Sequence, residues 1–221
     1  MIVRLLLSAC AALSIVASGS ANQCEEKGCP DTKQRNVNVH VIPHSHNDAG
    51  WLESVDEVYA KHVKDIYGSS IDSLVTNNKR RYVSCENVFF SRWWKERSQK
   101  EQDDLRALLS SGRLQFVGGG WVQNDEAVTH YTAIIDQMTL GLRFLNDTFG
   151  DCGRPTVAWQ ADPFGHSRCQ ANLFAQMGFD GLMIGRVSND DVARRQAEKE
   201  MLFVWKTEPG NSKYPIDEYY V

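Results

Sequence analysis

Val37-Asn38-Val39-His40-Val41-Ile42-Pro43-His44-Ser45-His46-Asn47-Asp48-Ala49-Gly50-Trp51 begins as an apolar, β-like run and ends in imidazole and carboxylate groups. Val37 to Ile42 reads as a first strand, with the polar groups following at its carboxyl end. Farther along, Pro155 to Trp159 reads as another strand, followed by Ala161-Asp162-Pro163-Phe164-Gly165-His166-Ser167. Asp and His packed beside a hydrophobic strand are costly to bury unless something satisfies them, and a divalent cation does so directly. Zinc suits this donor set because it accepts imidazole nitrogen and carboxylate oxygen alike, whereas calcium and magnesium prefer oxygen. The two stretches together read as one divided metal site. His-x-His beside an acid also arises by chance, so the rest of the chain has to decide.

Between these stretches the pattern alternates. A helical period runs through Val55, Tyr59, His62 and Ile66, and a second strand lies near Tyr82 to Ser84. Leu105, Leu108 and Leu109 form the apolar side of a helix closed by Gly112, and Leu114 to Val117 reads as a third strand. A long helix is predicted from Glu126 to Phe149, apolar at Ile134, Met138, Leu142, Leu145 and Phe149. Pro155 to Trp159 is the fourth strand, Gln170 to Met177 a short helix and Gly181 to Ile184 a fifth strand. This order predicts an α/β fold, with βα units forming a mostly parallel sheet or an incomplete (β/α) barrel. The polar segments His44 to Trp51, Glu86-Asn87, Gly118 to Glu126, Asp162 to Ser167 and Arg186 each follow one strand. In parallel α/β folds that rim is where ligands bind, and this placement makes the metal site the preferred reading.

His46 and Asp48 are two apart in a turn leaving a strand, so both side chains can face one pole, and His46 is the preferred ligand. His44 reads as a buried histidine that supports the site through a hydrogen bond. Asn47 shapes the turn. Asp162 precedes a proline, which disfavours helical backbone and sets the carboxylate on an extended exit; the alternative is a helix N-cap. His166 is either ligand or support, with support preferred. Trp51, Trp121 and Phe164 offer the apolar faces a pyranose ring asks for, with core packing the equal alternative. Trp93 and Trp94 read as packing residues beginning a helix away from the rim, and His62 as a structural histidine on an apolar face. His130 lies close to the third rim segment, and its role is open.

The first residues carry a basic start ending at Arg4, an apolar run from Leu5 to Ala17 and the small residues Ser18-Gly19-Ser20-Ala21. They read as a signal peptide over 1–21, because the run falls short of the ~20 apolar residues a membrane span needs. Residues 22–36 form a cysteine-containing leader, and no membrane anchor is expected after cleavage. A net charge of -4 with scattered basic residues argues against a nucleic-acid partner. Removal of Cys10 leaves Cys24, Cys29, Cys85, Cys152 and Cys169, an odd number that calls for a free thiol or a bridge between segments or chains. Cys24 pairs either with Cys29 or with a distant partner. Asn146-Asp147-Thr148 is a glycosylation sequon at the polar end of the long helix.

Five motifs match a known family: Pro43 to Trp51, Phe89-Phe90-Ser91-Arg92-Trp93-Trp94, Gly119 to Ala127, Asp136 to Leu145, and Asp162 to Ser167. From about Val37 to Lys206 the chain resembles the N-terminal catalytic domain of glycoside hydrolase family 38, the zinc-dependent retaining α-mannosidases, and its lysosomal-type branch in particular. The resemblance implies zinc on His46, Asp48 and Asp162, with Asp162 also the nucleophile. It places Trp51, Phe164 and Arg186 in the sugar pocket. Mannose-containing oligosaccharides are the implied partners, and the lysosome or cell exterior the implied location. Ala49 stands where proline or valine is usual, and Ala161 where isoleucine is usual. In the family a further histidine ligand and the acid/base carboxyl come from sequence farther along, and residues 207–221 diverge from the pattern. The 221-residue chain is therefore expected to be a weak or inactive α-mannosidase, or alternatively a non-catalytic glycan-binding remnant.

Overall fold

The computed structural model describes Cys24, residues 39–207 and residues 218–220. The signal peptide, the leader apart from Cys24, residues Val37 and Asn38 of the first expected strand, and most of the 207–221 tail lie outside the described residues.

A three-part helix opens the ordered fold: α1 (Val55–Val58), a π-helical turn (Tyr59–Val63) and α2 (Lys64–Thr76). Ser54 starts it with a capping box, its hydroxyl accepting from the Glu57 N–H while the Glu57 carboxylate accepts from the Ser54 N–H. The π turn widens the spacing of the buried face to Tyr59, Val63, Tyr67 and Ile71, four residues at each step. An ordinary helical period would have put His62 and Ile66 inside. Instead His62 is exposed and faces Glu53 at 3.5 Å, which corrects its reading as a histidine on an apolar face.

The chain continues through β1 (Tyr82–Ser84), α3 (Asn87–Lys95), α4 (Gln99–Ser110) and β2 (Leu114–Phe116). Next come α5 (Tyr131–Phe149), a 3-10 turn (Gly150–Gly153), β3 (Val157–Gln160) and α6 (Arg168–Gln176). The order closes with β4 (Gly181–Ile184), α7 (Asn189–Glu198), β5 (Val204–Lys206) and β6 (Glu218–Tyr220). Trp93 and Trp94 end α3 rather than beginning a helix, and both are buried. The long helix starts at Tyr131, not Glu126, because His130 caps it by accepting from the Thr132 N–H while Glu126 is drawn to another partner.

β1 pairs with β2, and β3 with β4, both parallel. β6 joins β4 in parallel and β5 in antiparallel, so the second sheet runs β3-β4-β6-β5. The Gly118 N–H donates to the Val157 carbonyl at 2.8 Å and brings the two sheets edge to edge. This is a mixed α/β fold with short parallel strands; the described strands form two open sheets rather than a barrel. The expected first strand is reduced to one parallel bridge, His44 with Val83, and Val39, Val41 and Ile42 are exposed.

One apolar cluster joins α2, α3 and α4 over β1 and β2, with Phe90 edge-on to Phe116 at 5.0 Å. A second, around Ile134, Met138, Phe174 and Leu182, seats α5 and α6 on β3 and β4. Gly141 lets α5 press onto the strand exit, since a Cβ there would lie 2.2 Å from the Gly119 carbonyl oxygen. Gly185 does the same between β4 and β3, where a Cβ would lie 2.2 Å from the Ala161 oxygen. Cys24 is bridged to Cys152, 128 residues away, with Cα atoms 5.4 Å apart, so the distant alternative holds rather than a local bridge to Cys29. Cys85 is a buried free thiol and Cys169 an exposed one. Asn146 is exposed in the last turn of α5.

Closing so long a loop constrains the unfolded chain, so Cys152→Ser should lower stability by about 5 kcal/mol. The shift would be read from the denaturant midpoint of the oxidised protein, and an unchanged midpoint would contradict the bridge. Gly185→Ala forces a methyl group against the Ala161 backbone and should cost about 1–3 kcal/mol by the same measurement.

Candidate metal centre and sugar-binding cleft

The parallel ladders bring the strand exits to one edge. Gln160 pairs with Ile184, and the Gly185 N–H donates to the Gln160 carbonyl at 3.1 Å. Two residues farther on, the Arg186 guanidinium donates to Oδ1 of Asp162. From the neighbouring exit, the His46 ring turns Nε2 toward Asp48 Oδ1 at 3.3 Å and Asp162 Oδ2 at 3.6 Å. The ligand atoms of His46, Asp48 and Asp162 all lie within 4.8 Å of one another. Among the described residues this is the one group of three or more such side chains placed to share an ion.

The donor set fits zinc. A tetrahedral ion with bonds of about 2.0–2.2 Å spaces its ligand atoms roughly 3.3–3.6 Å apart, which is the spacing His46 makes with both carboxylates. One imidazole and two carboxylates also neutralise a divalent charge, whereas without a cation the two acids repel.

These groups line a cavity of about 200 Å³ with Asn47, Glu86, Gln123, Asp125 and Phe164. Trp51 lines an adjoining hollow that shares His46 and Asp48. Trp51 and Phe164 are 76% and 77% exposed, so core packing does not account for either, and Arg186 sits 6.0 Å from the Phe164 ring centroid. Trp121 is half-buried, with its backbone held between α3 and α5: its carbonyl accepts from the Val88 N–H and its N–H donates to the Gln137 carbonyl. A larger, mainly apolar hollow beside β4 and α7 does not hold the acidic cluster.

His44 departs from its expected role. It is exposed rather than buried, its Nδ1 donates to the Ile42 carbonyl at 2.8 Å, and its ring meets Trp159 edge-on at 5.1 Å. Asp162 caps no helix, because Ser167 caps α6. His166 supports the cleft from behind: Nδ1 meets Glu126 at 2.9 Å and Nε2 donates to the Arg186 carbonyl at 2.8 Å, tying the rim segments of β2, β3 and β4 together. Burial pushes the Glu126 carboxyl up, and His166 is the chief influence opposing it.

The supporting contacts of three rim residues were not readable from the sequence. Glu86 is 2% exposed beside His46. Gln123 reaches His46, Cys85 and Glu86 with one amide nitrogen. Asn124 joins a buried amide ladder with Gln137, Gln160 and Gln170 that stiffens the loop carrying Gln123. Glu86 and the Gly118 to Glu126 segment were legible as rim residues, but their facing partners depend on which exits touch.

Comparison with known proteins agrees with this geometry. Residues 36–216 match the glycosyl hydrolases family 38 N-terminal domain. The lysosomal alpha-mannosidase of Mus musculus is 50% identical over 200 residues, covering 87% of this chain and 20% of the relative. That of Homo sapiens is 48% identical over 205 residues, covering 89% of this chain and 20% of the relative. The chain thus spans about a fifth of the length of the curated relatives it matches. Among solved structures, an alpha-mannosidase from Enterococcus faecalis aligns with a TM-score of 0.54 at 14% identity, over 65% of this chain and 16% of that one. A 4-alpha-glucanotransferase from Thermococcus litoralis aligns at 0.58 and 15% identity, over 81% and 26%. At such identities the structural likeness speaks for the fold alone. Sequence match and rim geometry lead to the same place: the chain belongs to glycosyl hydrolases family 38, through that family's N-terminal domain.

Proposed function

We propose that His46, Asp48 and Asp162 hold a zinc ion and that Asp162 is the nucleophile of a retaining α-mannosidase acting on terminal α-mannosyl residues of N-glycans or glycoproteins. The observation that carries this reading is the convergence of the three ligand-bearing side chains from two separate loops, within 4.8 Å, with Arg186 on the Asp162 carboxylate.

Asp162 attacks the anomeric carbon, the aglycone departs, and water then cleaves the glycosyl ester, passing twice through an oxocarbenium-like transition state. The Arg186 guanidinium orients Asp162 from Oδ1, while Oδ2 faces His46. Trp51 and Phe164 present apolar faces to the sugar ring beside these polar groups. Zinc bound at the cluster would supply Lewis acidity and positive charge toward the sugar hydroxyls.

These residues provide the nucleophile's side of the reaction. By the family resemblance, the acid/base carboxyl and a further histidine ligand come from sequence beyond the stretch matched by these motifs, and a piece covering about a fifth of its relatives' length should turn over slowly when assayed alone. The relatives' names and the signal-like start support a secretory route, to the lysosome or the exterior. Among the described residues no helix is long and apolar enough to cross a membrane.

Calorimetry should show zinc binding to the purified chain, lost in Asp48→Ala. With an activated aryl α-mannoside, slow turnover should depend on zinc, release mannose first as the α-anomer, and disappear in Asp162→Asn. General acid catalysis contributes about 10²–10⁴ in rate, so an unactivated alkyl mannoside should be slower still. Zinc and mannose binding without any turnover would leave a glycan-binding remnant, and an absence of zinc binding would overturn the metal assignment.

A further inference from the structure

His46 has two ring nitrogens with opposite surroundings. Nε2 faces the carboxylates of Asp48 and Asp162, and Nδ1 faces Glu86 and Gln123. Zinc can take the Nε2 lone pair only if the neutral ring carries its proton on Nδ1. Something must therefore accept a hydrogen bond on that side.

Counting hydrogens identifies the acceptor. The Gln123 carbonyl oxygen accepts the Ala161 N–H at 3.3 Å, which fixes the direction of the amide. Its nitrogen has two hydrogens and three neighbours: Glu86 Oε1 at 3.0 Å, Cys85 Sγ at 3.2 Å and His46 Nδ1 at 3.2 Å. With Nδ1 protonated, as zinc on Nε2 requires, those two hydrogens go to the carboxylate and the sulfur. Nδ1 is then left to donate, and the acceptor facing it is Glu86 Oε1, 3.7 Å away.

We infer that Glu86 is a positioning residue whose Oε1 accepts the Nδ1 proton of His46 and holds the ring in the tautomer that turns the Nε2 lone pair toward Asp48 and Asp162. This rests on the zinc reading for its purpose. Its independent support is the oddness of Glu86 as a structural residue. It is 2% exposed, and its Oε2 is buried without a hydrogen-bond partner. A carboxylate kept in such a place costs stability that an apolar or amide side chain would not.

The test measures the zinc dissociation constant of the whole chain by competition with a chromophoric chelator, for wild type, Glu86→Gln and Glu86→Ala. Loss of a partner behind a zinc-bound histidine typically weakens the metal by about 10–100-fold, and Glu86→Ala should fall in that range. Glu86→Gln keeps an acceptor oxygen without the charge and should lie between it and wild type. The melting temperature of the zinc-free protein should not fall in Glu86→Gln, and nitrogen-15 spectra of the zinc-loaded wild type should show His46 protonated on Nδ1. If Glu86→Ala does not fold, Glu86→Gln carries the test. Zinc affinity within twofold of wild type in the folded variants, or a loss of affinity that merely tracks a lowered melting temperature, overturns the role of Glu86 alone. Failure of wild type to bind zinc overturns the metal reading beneath it.

Discussion

In-register parallel pairing of β3 with β4 is the constraint on which the cleft depends. Val157 faces Gly181 and Gln160 faces Ile184 along the ladder, so the residues two steps past each strand, Asp162 and Arg186, emerge side by side. A slip of one residue between them would turn one of these two side chains to the opposite face and part the pair. The bridge of His44 to Val83 and the pairing of Ser84 with Phe116 extend the same logic, delivering His46, Glu86 and Gln123 to the same edge. Gly185 is part of this device, because any side chain there would push the two exits apart.

The charges gathered at that edge explain its supporting structure. Asp48, Asp162, Glu86 and Glu126 stand close to His46, Arg186 and His166, and the carboxylates split by depth. Asp48 and Asp162 are partly open to solvent and face the cavity, while Glu86 and Glu126 are buried, each against a histidine. The deep acids orient imidazoles and the shallow ones are left available to a ligand. Trp51 and Phe164 leave apolar surface uncovered beside these charges, and such a pairing of apolar face and polar groups suits a sugar ring.

Several features were hidden because they turn on contacts between distant segments. The helical period through His62 failed where a π turn, favoured by the burial of Tyr59, Val63 and Tyr67 against α3, displaced the face by one residue. Cys24 found Cys152 instead of nearby Cys29, and no local pattern announces a partner 128 residues away. Glu86 and Gln123 look like ordinary polar rim residues until the loops that carry them are brought against His46.

The sequence by itself determined the alternation of strands and helices and the placement of polar groups at strand ends. It also determined the pairing of His46 with Asp48. Each of these follows from short-range periodicity and spacing. Tertiary structure alone decided that Asp162 meets Arg186 and His46, that Glu86 and Gln123 stand behind the imidazole, and that His44 turns away to Trp159. Those outcomes depend on strand register and on backbones approaching at Gly141 and Gly185, distances set by packing between elements and carried by no local pattern of residues.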